Sequence, residues 1–484
     1  MAEAPSRIGG NRPRLRTFDV GERHASWLEL FFDLVFVLAV AQVARILADH
    51  SDLGGFVRYV ALFLPVWWSW VGFTFYADRF ESEEPTYRIL MFSGMLTVIG
   101  FAIALGDAFT PRGDVAVVVC YVLMRIVLST LYLRVAYYVP LARSFSLQYP
   151  IGLGVSSLIL LASLLASGNL RYAMWGLAFA VELLTPLLNL RAARILPIDR
   201  SHIPERFGLF TIIVLGEAVV ATGMGLAGVE WNFATVATAC LGFAMAASIW
   251  WINFDFVEER ALISGSLGRR FSYLYGHFFI VASIVATGIG VEHAIKEATE
   301  AHLHIPSVAL MIGGVAVYIA AITAIRLITG TCKLVWPRFI SIAVLIALVF
   351  ASSFFPPLLV VAITLFVLIV ELGIENYFSG EEKEEEDPVH LRPCEHAGEM
   401  VIYEARSVGG CEKCVENGYK WVHLRLCLGC GHVGCCDTSQ YKHATKHFLE
   451  SDHPIMASLE TGETWAWCYV DERFVPLNER VSGG

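Results

Sequence analysis

Eight of the 11 cysteines fall between Cys394 and Cys468, in a spacing suited to metal. Cys394-x-His396, Cys411-x2-Cys414, Cys427-x2-Cys430 and Cys435 are followed by His443-x3-His447-x5-His453 and then Cys468. Zinc takes four sulfur or nitrogen donors in a tetrahedron, and a Cys-x2-Cys turn supplies two thiolates from one short loop. A disulfide framework would need an oxidising compartment, which the orientation derived below opposes. A redox Cys-x2-Cys would leave the histidines unexplained. A second group of chemically able residues interrupts apolar segments. Glu29 and Asp33 are four apart and share one helix face; Arg125, Glu182, Glu217 and His277 each stand inside another segment. A charge at mid-bilayer costs at least about 2.5–3.5 kcal/mol on insertion scales, so such groups face a protein interior and find partners. They form either a proton, ion or substrate site, or a structural pairing such as Arg125 with one carboxylate. Glu217, preceded by Gly216, is the strongest single candidate for the first role.

The elements that must position these groups follow from composition. The chain has 484 residues, 56% of them hydrophobic and 17% charged. Soluble domains carry about 45–50% apolar and about 25% charged residues, so an ordinary soluble enzyme is excluded. A net charge of −10 excludes a nucleic-acid footprint. Twelve apolar segments approach the ~20 residues of a bilayer span: roughly 26–48, 56–76, 88–106, 114–138, 150–166, 170–190, 208–226, 232–254, 271–292, 307–326, 335–352 and 354–374. The lipid bilayer is thus the first partner. The polar, Arg-rich segment 1–25 shows no removable signal peptide. With twelve spans, 19 Lys and Arg lie in loops on one side and four (Arg58, Arg112, Arg171, Lys296) on the other. The positive-inside rule then puts both termini in the cytoplasm.

The chain also repeats itself. The pattern W-x-x-F-x-F-x-x-[D/E]-R ends the second span at 70–79 and the eighth at 251–260. Glu22-Arg23 before span one matches Glu205-Arg206 before span seven, which would place Asp33 and Glu217 at similar depth. Six spans per half implies a parallel repeat, with halves of about 26–190 and 208–374. The expected fold is an all-α polytopic membrane bundle with a parallel 6+6 repeat. Beyond it lie an acidic flexible linker at 376–390, a small α/β zinc domain at 391–475 and a tail at 476–484. Residues 376–484 hold 10 Lys and Arg against 19 Asp and Glu, so the net charge belongs almost wholly to this part.

Two resemblances follow from these motifs. Arg23-His24-Ala-Ser-Trp27-Leu28-Glu29-Leu30-Phe31-Phe32-Asp33-Leu34-Val35-Phe36 and Glu205-Arg206-Phe207-Gly208-Leu209-Phe210-Thr-Ile-Ile-Val-Leu215-Gly216-Glu217, with Trp250-Trp251 and Phe254-Asp255, resemble signatures of the bacterial low temperature requirement A family. That resemblance implies a multi-pass protein of the bacterial cytoplasmic (inner) membrane and names no substrate. The tail resembles the ubiquitin-specific-protease-type (UBP-type) zinc finger, which implies two to three zinc ions. The resemblance pairs Cys394 and His396 with Cys468 and, at the position of a usual Cys, Asp471. It groups Cys411, Cys414, Cys435 and His453 in a second site and Cys427, Cys430, His443 and His447 in a third. Such fingers bind the free Gly-Gly terminus of ubiquitin in an aromatic pocket. Trp467 and Tyr469 match its aromatic positions, whereas Asp437 replaces the usual Arg and would repel a peptide carboxylate. The chain's own terminal Gly483-Gly484 is a further, weaker candidate for such a pocket.

Two functions are compatible with these residues. The first is a secondary transporter or ion-coupled permease for an unknown small molecule or ion, using the intramembrane carboxylates. The alternative is a membrane-anchored sensor or scaffold whose finger recruits a cytoplasmic protein or peptide C-terminus. Homo-oligomerisation is compatible with both. An enzyme is not expected: no H-E-x-x-H or Walker A pattern occurs.

Overall fold

A computed structural model describes residues 13–15, 25–81, 84–188, 202–256, 267–329, 335–385, 396, 405–407, 409–437, 439–460, 465–470 and 473–476. The chain divides into two compact units, Met1–Asn376 and Tyr377–Gly484. Cys394, Asp471 and Gly483-Gly484 lie outside the described residues.

In the first unit, twelve helices of 16 residues or more follow one another. The first six are α1 (Trp27–Asp49), α2 (Leu53–Arg79), α3 (Pro85–Leu105), α4 (Pro111–Tyr138), α5 (Arg143–Ser163) and α6 (Asn169–Leu188). The next six are α7 (His202–Leu226), α8 (Phe233–Phe256), α9 (Leu267–Lys296), α10 (Ile305–Thr329), α11 (Trp336–Ala351) and α12 (Pro357–Glu385). A two-residue pairing of β1 (Arg14–Leu15) with β2 (Phe80–Glu81) completes the unit. Eleven of these helices are long and apolar enough to cross a membrane. The remaining one, α6, is diluted by Asn169, Arg171 and Glu182. This is a multi-pass membrane protein with an all-α body.

Local chemistry sets the helix starts. Ser26 accepts from the Glu29 amide and Glu29 accepts from the Ser26 amide at 2.7 Å, a capping box. Asp52 and Thr110 cap α2 and α4 by accepting from the Gly55 and Gly113 amides, with Pro111 opening α4. Packing repeats between the halves. The first helix of each half lies against the second and third, and the third against the fourth: α1 on α2 and α3, α3 on α4; α7 on α8 and α9, α9 on α10. The halves meet where α1 and α2 touch α7 and α9. At the α9 contacts, a Cβ on Gly288 would come within 2.7 Å of the Ala218 backbone and one on Gly290 within 2.3 Å of Met311. Small residues are the usual means of bringing membrane helices this close.

Two expectations need correction here. The charge run taken as a flexible tether is helical through Glu385, because α12 continues past the apolar span. Glu and Lys are good helix formers, and the first breaker is Pro388. The repeat register also shifts. Arg206, in the second turn of α7, reaches Asp33 in the second turn of α1, a separation of 173 positions in sequence. The charge acting on Glu217 from α1 is that of Arg45. Asp33 and Glu217 therefore do not share a depth. At 1.5 Å per residue, Glu217 lies about 16 Å further along α7 than the Asp33 level.

The second unit is a small α/β domain. Its sheet has the order β4-β3-β5-β6-β7 and is antiparallel throughout. The strands are β3 (Leu424–Cys427), β4 (Val433–Cys435), β5 (Ile455–Ser458), β6 (Trp465–Cys468) and β7 (Arg473–Pro476), with helices α13 (Glu412–Asn417) and α14 (His443–Ser451). Leu426, Val433, Ile455, Ala457, Ala466 and Val475 form its apolar core. A Cβ on Gly434 would meet the Ala444 amide nitrogen at 2.5 Å, so glycine is what lets β4 lie against α14.

Candidate membrane charge site and metal centres

The membrane unit gathers its charges into separate layers. At the start of α1 and α7, five ionisable residues from three helices are each at most 2% exposed: Glu29, Asp33, Asp78, His202 and Arg206. Asp33 Oδ1 pairs with Arg206 Nη2 at 2.7 Å and accepts from Trp70 Nε1 at 2.7 Å. His202 lies between two acids, with Nδ1 3.0 Å from Asp78 and Nε2 3.5 Å from Glu29. Asp33 Oδ2 and the Arg206 Nε and Nη1 atoms are buried without a hydrogen-bond partner. A buried carboxylate and guanidinium with unused bonding capacity are unusual, because burial of unpaired polar atoms is costly.

Of this layer, sequence reasoning found Glu29 and Asp33 and missed Asp78, His202 and Arg206. Asp78 and Arg206 were placed at span ends, where charges are cheap, and His202 falls between spans six and seven. The missing signal was that α7 begins at His202, which carries His202 and Arg206 inside the helix. Trp70 also acquires a role. In the first half it is fully buried, stacked on Phe210 with centroids 4.5 Å apart. Its repeat equivalent, Trp251, is 46% exposed. The two copies of the motif thus serve different surroundings.

The other predicted charges separate. Arg125 and Glu182 form a pair at 2.9 Å; Glu182 also accepts from Tyr121 at 2.8 Å and Ser156 at 2.9 Å, and Arg125 bonds Tyr121. These bonds tie α4, α5 and α6 together. His277 sits 2.9 Å from Thr211, linking α9 to α7. Glu217 is only partly buried, and the charges acting on it are Glu292 and Arg45. The six candidates thus do not converge on one point. A further buried cluster, unseen in the sequence, joins Arg326 and Arg338 to Glu375.

The second unit brings its Cys and His residues into two four-donor groups whose ligand atoms lie within 4.8 Å of one another. The first is Cys411, Cys414, Cys435 and His443, all buried; the second is Cys427, Cys430, His447 and His453. The grouping implied by the resemblance therefore exchanges His443 and His453. The cause is local. Lys442 and Asp452 both take left-handed backbone, φ 45° and 56°, on either side of α14, at about 1–2 kcal/mol each. The first turn swings His443 back to β4, and the second returns His453 to the β3–β4 turn. His443 and His447, a helical turn apart, are divided between the centres. His396 and Cys468 lie 3.8 Å apart, while the other two donors expected beside them are outside the described residues.

These donors fit zinc. His443 Nδ1 lies 3.2, 3.3 and 3.5 Å from the Cys411, Cys414 and Cys435 sulfurs, and Cys414 and Cys435 are 3.8 Å apart. Zn–S bonds of about 2.3 Å and Zn–N bonds of 2.0–2.1 Å make tetrahedron edges of roughly 3.5–3.8 Å. Burial pushes the Cys414 thiol up to about 12 and the Cys427 thiol up to about 11. Burial and the neighbouring His432 and His453 lower His447 to about 4, leaving it a neutral donor. Raised thiol values stabilise the metal-free fold below their ordinary value of about 9 and lose that contribution as pH rises through 11–12. A bound cation inverts this: the thiols must ionise, and retention is lost as pH falls. Zinc added to the stripped protein in weak buffer is accordingly expected to release protons, read with a pH-indicator dye; uptake without release would contradict the thiolate assignment.

The candidate peptide-binding aromatics lie at the end of β6. Tyr469 stacks on Phe448 with centroids 4.9 Å apart, and its hydroxyl is 3.1 Å from Thr445, which in turn donates to Asp437. Burial raises the Tyr469 phenol above its ordinary value. Trp467 pairs with Met456 across β5 and β6. Arg425 lies over the Trp465 ring at 4.5 Å.

Comparison with known proteins agrees with both units. Residues 411–479 match the model of the Zn-finger in ubiquitin-hydrolases and other proteins. Ubiquitin carboxyl-terminal hydrolase 44 of Ailuropoda melanoleuca is 34% identical over 92 residues, 19% of this chain and 12% of that enzyme. A solution structure of a Rhodopseudomonas palustris protein is 46% identical, covering 19% of this chain and 87% of its own, with a TM-score of 0.18. An uncharacterized protein of Rhizobium meliloti (strain 1021) is 30% identical over 296 residues, 58% of this chain and 72% of its own. Residues 24–372 match the model of the bacterial low temperature requirement A protein. With that match spanning most of its length, this chain belongs to the bacterial low temperature requirement A family and carries a UBP-type, metal-binding zinc finger.

Proposed function

We propose that the membrane unit is an ion-coupled secondary transporter of the bacterial inner membrane, with its coupling site at Asp33 and Arg206. The observation that supports this is the buried layer where α1 and α2 of the first half meet α7 of the second. It combines an ion pair with unused bonding atoms and a His202 flanked by two acids. Alternating access works by moving one repeat against the other around a site at their interface, and this layer sits at such an interface. Glu217, on the same α7 helix, forms a second charge group with Arg45 of α1 and Glu292 of α9. With α6 counted as a twelfth span, the Lys and Arg asymmetry supports both termini lying in the cytoplasm.

In this reading the finger holds two zinc ions, one per four-donor group, and serves as a cytoplasmic peptide-interaction module; no catalytic step is involved. With Asp437 beside Tyr469 and Arg425 committed to Trp465, a peptide carboxylate is a poor ligand for the face around Tyr469. The scaffold reading rests on the finger itself, which transport does not require. Purified full-length protein in liposomes with a trapped pH dye tests the choice. Under an imposed pH gradient, the wild type is expected to admit protons faster than empty liposomes, and Asp33→Asn to abolish the excess. No excess flux in the wild type, or normal flux in Asp33→Asn, would count against coupling at this site and favour the scaffold.

A further inference from the structure

We propose that Glu412 and His432, neither of them a metal ligand, couple the two metal centres so that order at the first sets the geometry of the second. The inference rests on the reading that the finger holds two zinc ions. Glu412 stands between Cys411 and Cys414, ligands of the first centre, and therefore moves with them. Its Oε2 lies 2.9 Å from His432 Nδ1, and its Oε1 accepts from the Val433 amide at 3.1 Å. A carboxylate only accepts, so Nδ1 carries the proton and the ring is held in one orientation. That ring is buried and stacks on His447, with centroids 4.2 Å apart and planes 22° from parallel. His447 Nε2 in turn lies 3.2 Å from Cys430 Sγ in the second centre.

The contact path is therefore continuous, from Cys411 and Cys414 through Glu412 and His432 to His447 and Cys430. The backbone reinforces it. Cys427 donates to the His432 carbonyl at 2.8 Å, closing the turn that presents Cys427 and Cys430. β4 then runs from Val433, bonded to Glu412, to Cys435 of the first centre. Without the first centre, α13 has only six residues and cannot persist alone. Glu412 would then be released, and His432 with it. Coupling of this kind is reciprocal. Groups that orient ligands from outside the coordination shell typically change metal affinity 10–100-fold.

Cobalt(II) titration of the metal-stripped full-length protein tests this, because three-thiolate and two-thiolate cobalt centres have different charge-transfer and d–d spectra. Both spectra are expected to grow together in the wild type. His432→Ala is expected to move the two-thiolate spectrum to at least ~10-fold higher free cobalt, and Cys414→Ser, which disables the first centre, to move it similarly. The double variant is expected to shift no further than either single one, since both break one path. Should His432→Ala destabilise the finger, His432→Phe enters the same cycle, keeping a ring against His447 but losing the bond to Glu412. An unshifted two-thiolate spectrum, or shifts that multiply in the double variant, would overturn the coupling. Absence of the two-thiolate spectrum in the wild type would instead overturn the two-ion reading.

Discussion

Replacing Cys414 by Ser is expected to remove one zinc per chain and to unfold the segment around α13, while the rest of the finger keeps its sheet. Cys414 is fully buried and supplies one of four donors grouped with Cys411, Cys435 and His443. A serine hydroxyl is neither deprotonated near neutral pH nor soft, and a tetrahedral structural site does not hold on three donors. The consequence is large because metal binding here is folding. Apparent binding energies of structural zinc in finger peptides are about 10–16 kcal/mol, whereas the apolar core of the finger is a cluster of aliphatic side chains around Leu426, Leu428 and Ile455, without a buried aromatic among the described residues. Elemental analysis of the purified full-length protein gives the metal count, and hydrogen exchange over 411–420 gives the order. Unchanged metal content, with the segment still protected from exchange, would remove Cys414 from the site. By the same logic a strong chelator is expected to leave the membrane unit folded, since its helices rest on a separate core.

Replacing Arg206 by Met is expected to cost about 3–5 kcal/mol, the usual penalty for stranding one member of a buried ion pair. Asp33 would lose its partner at 2.7 Å and keep only the Trp70 bond, deep between α1, α2 and α7. Asp33→Asn is expected to cost less, because the amide oxygen of the variant still accepts from both Trp70 and Arg206. The double variant Asp33→Asn with Arg206→Met is expected to recover part of the loss, the mark of direct pairing. Thermal unfolding of the four proteins in detergent measures the cycle. If the two single losses simply add, the pair is not an energetic unit. Stability and transport are separate readouts: the pairing can be real even if no flux is found.

Much of this protein is legible in its chain. The spans, the two-unit division and the metal chemistry follow from apolar runs and from Cys and His spacing, because bilayer thickness and tetrahedral coordination are fixed external constraints. The capping box at Ser26 and Glu29 is equally local. The partners were not legible. Glu29 and Asp33 announce themselves as acids in an apolar segment, but Asp78, His202 and Arg206 sit where charges ordinarily meet water. Only the packing of α7 beside α1 puts them inside. Arg125 and Glu182, 57 residues apart, carry no sequence mark of belonging together.

The finger teaches the same lesson at shorter range. Which residues are donors is written in their types and spacing. How they divide between the two centres depends on the left-handed turns at Lys442 and Asp452, which no periodicity reveals. A separation of four on a helix argues for one face, yet His443 and His447 point to different centres because the chain turns before the first of them. The sequence by itself determined that the chain spans a membrane and carries a metal domain, since both rest on local composition. Tertiary structure decided which charges meet and which donors share an ion, since both depend on contacts between segments far apart in the chain.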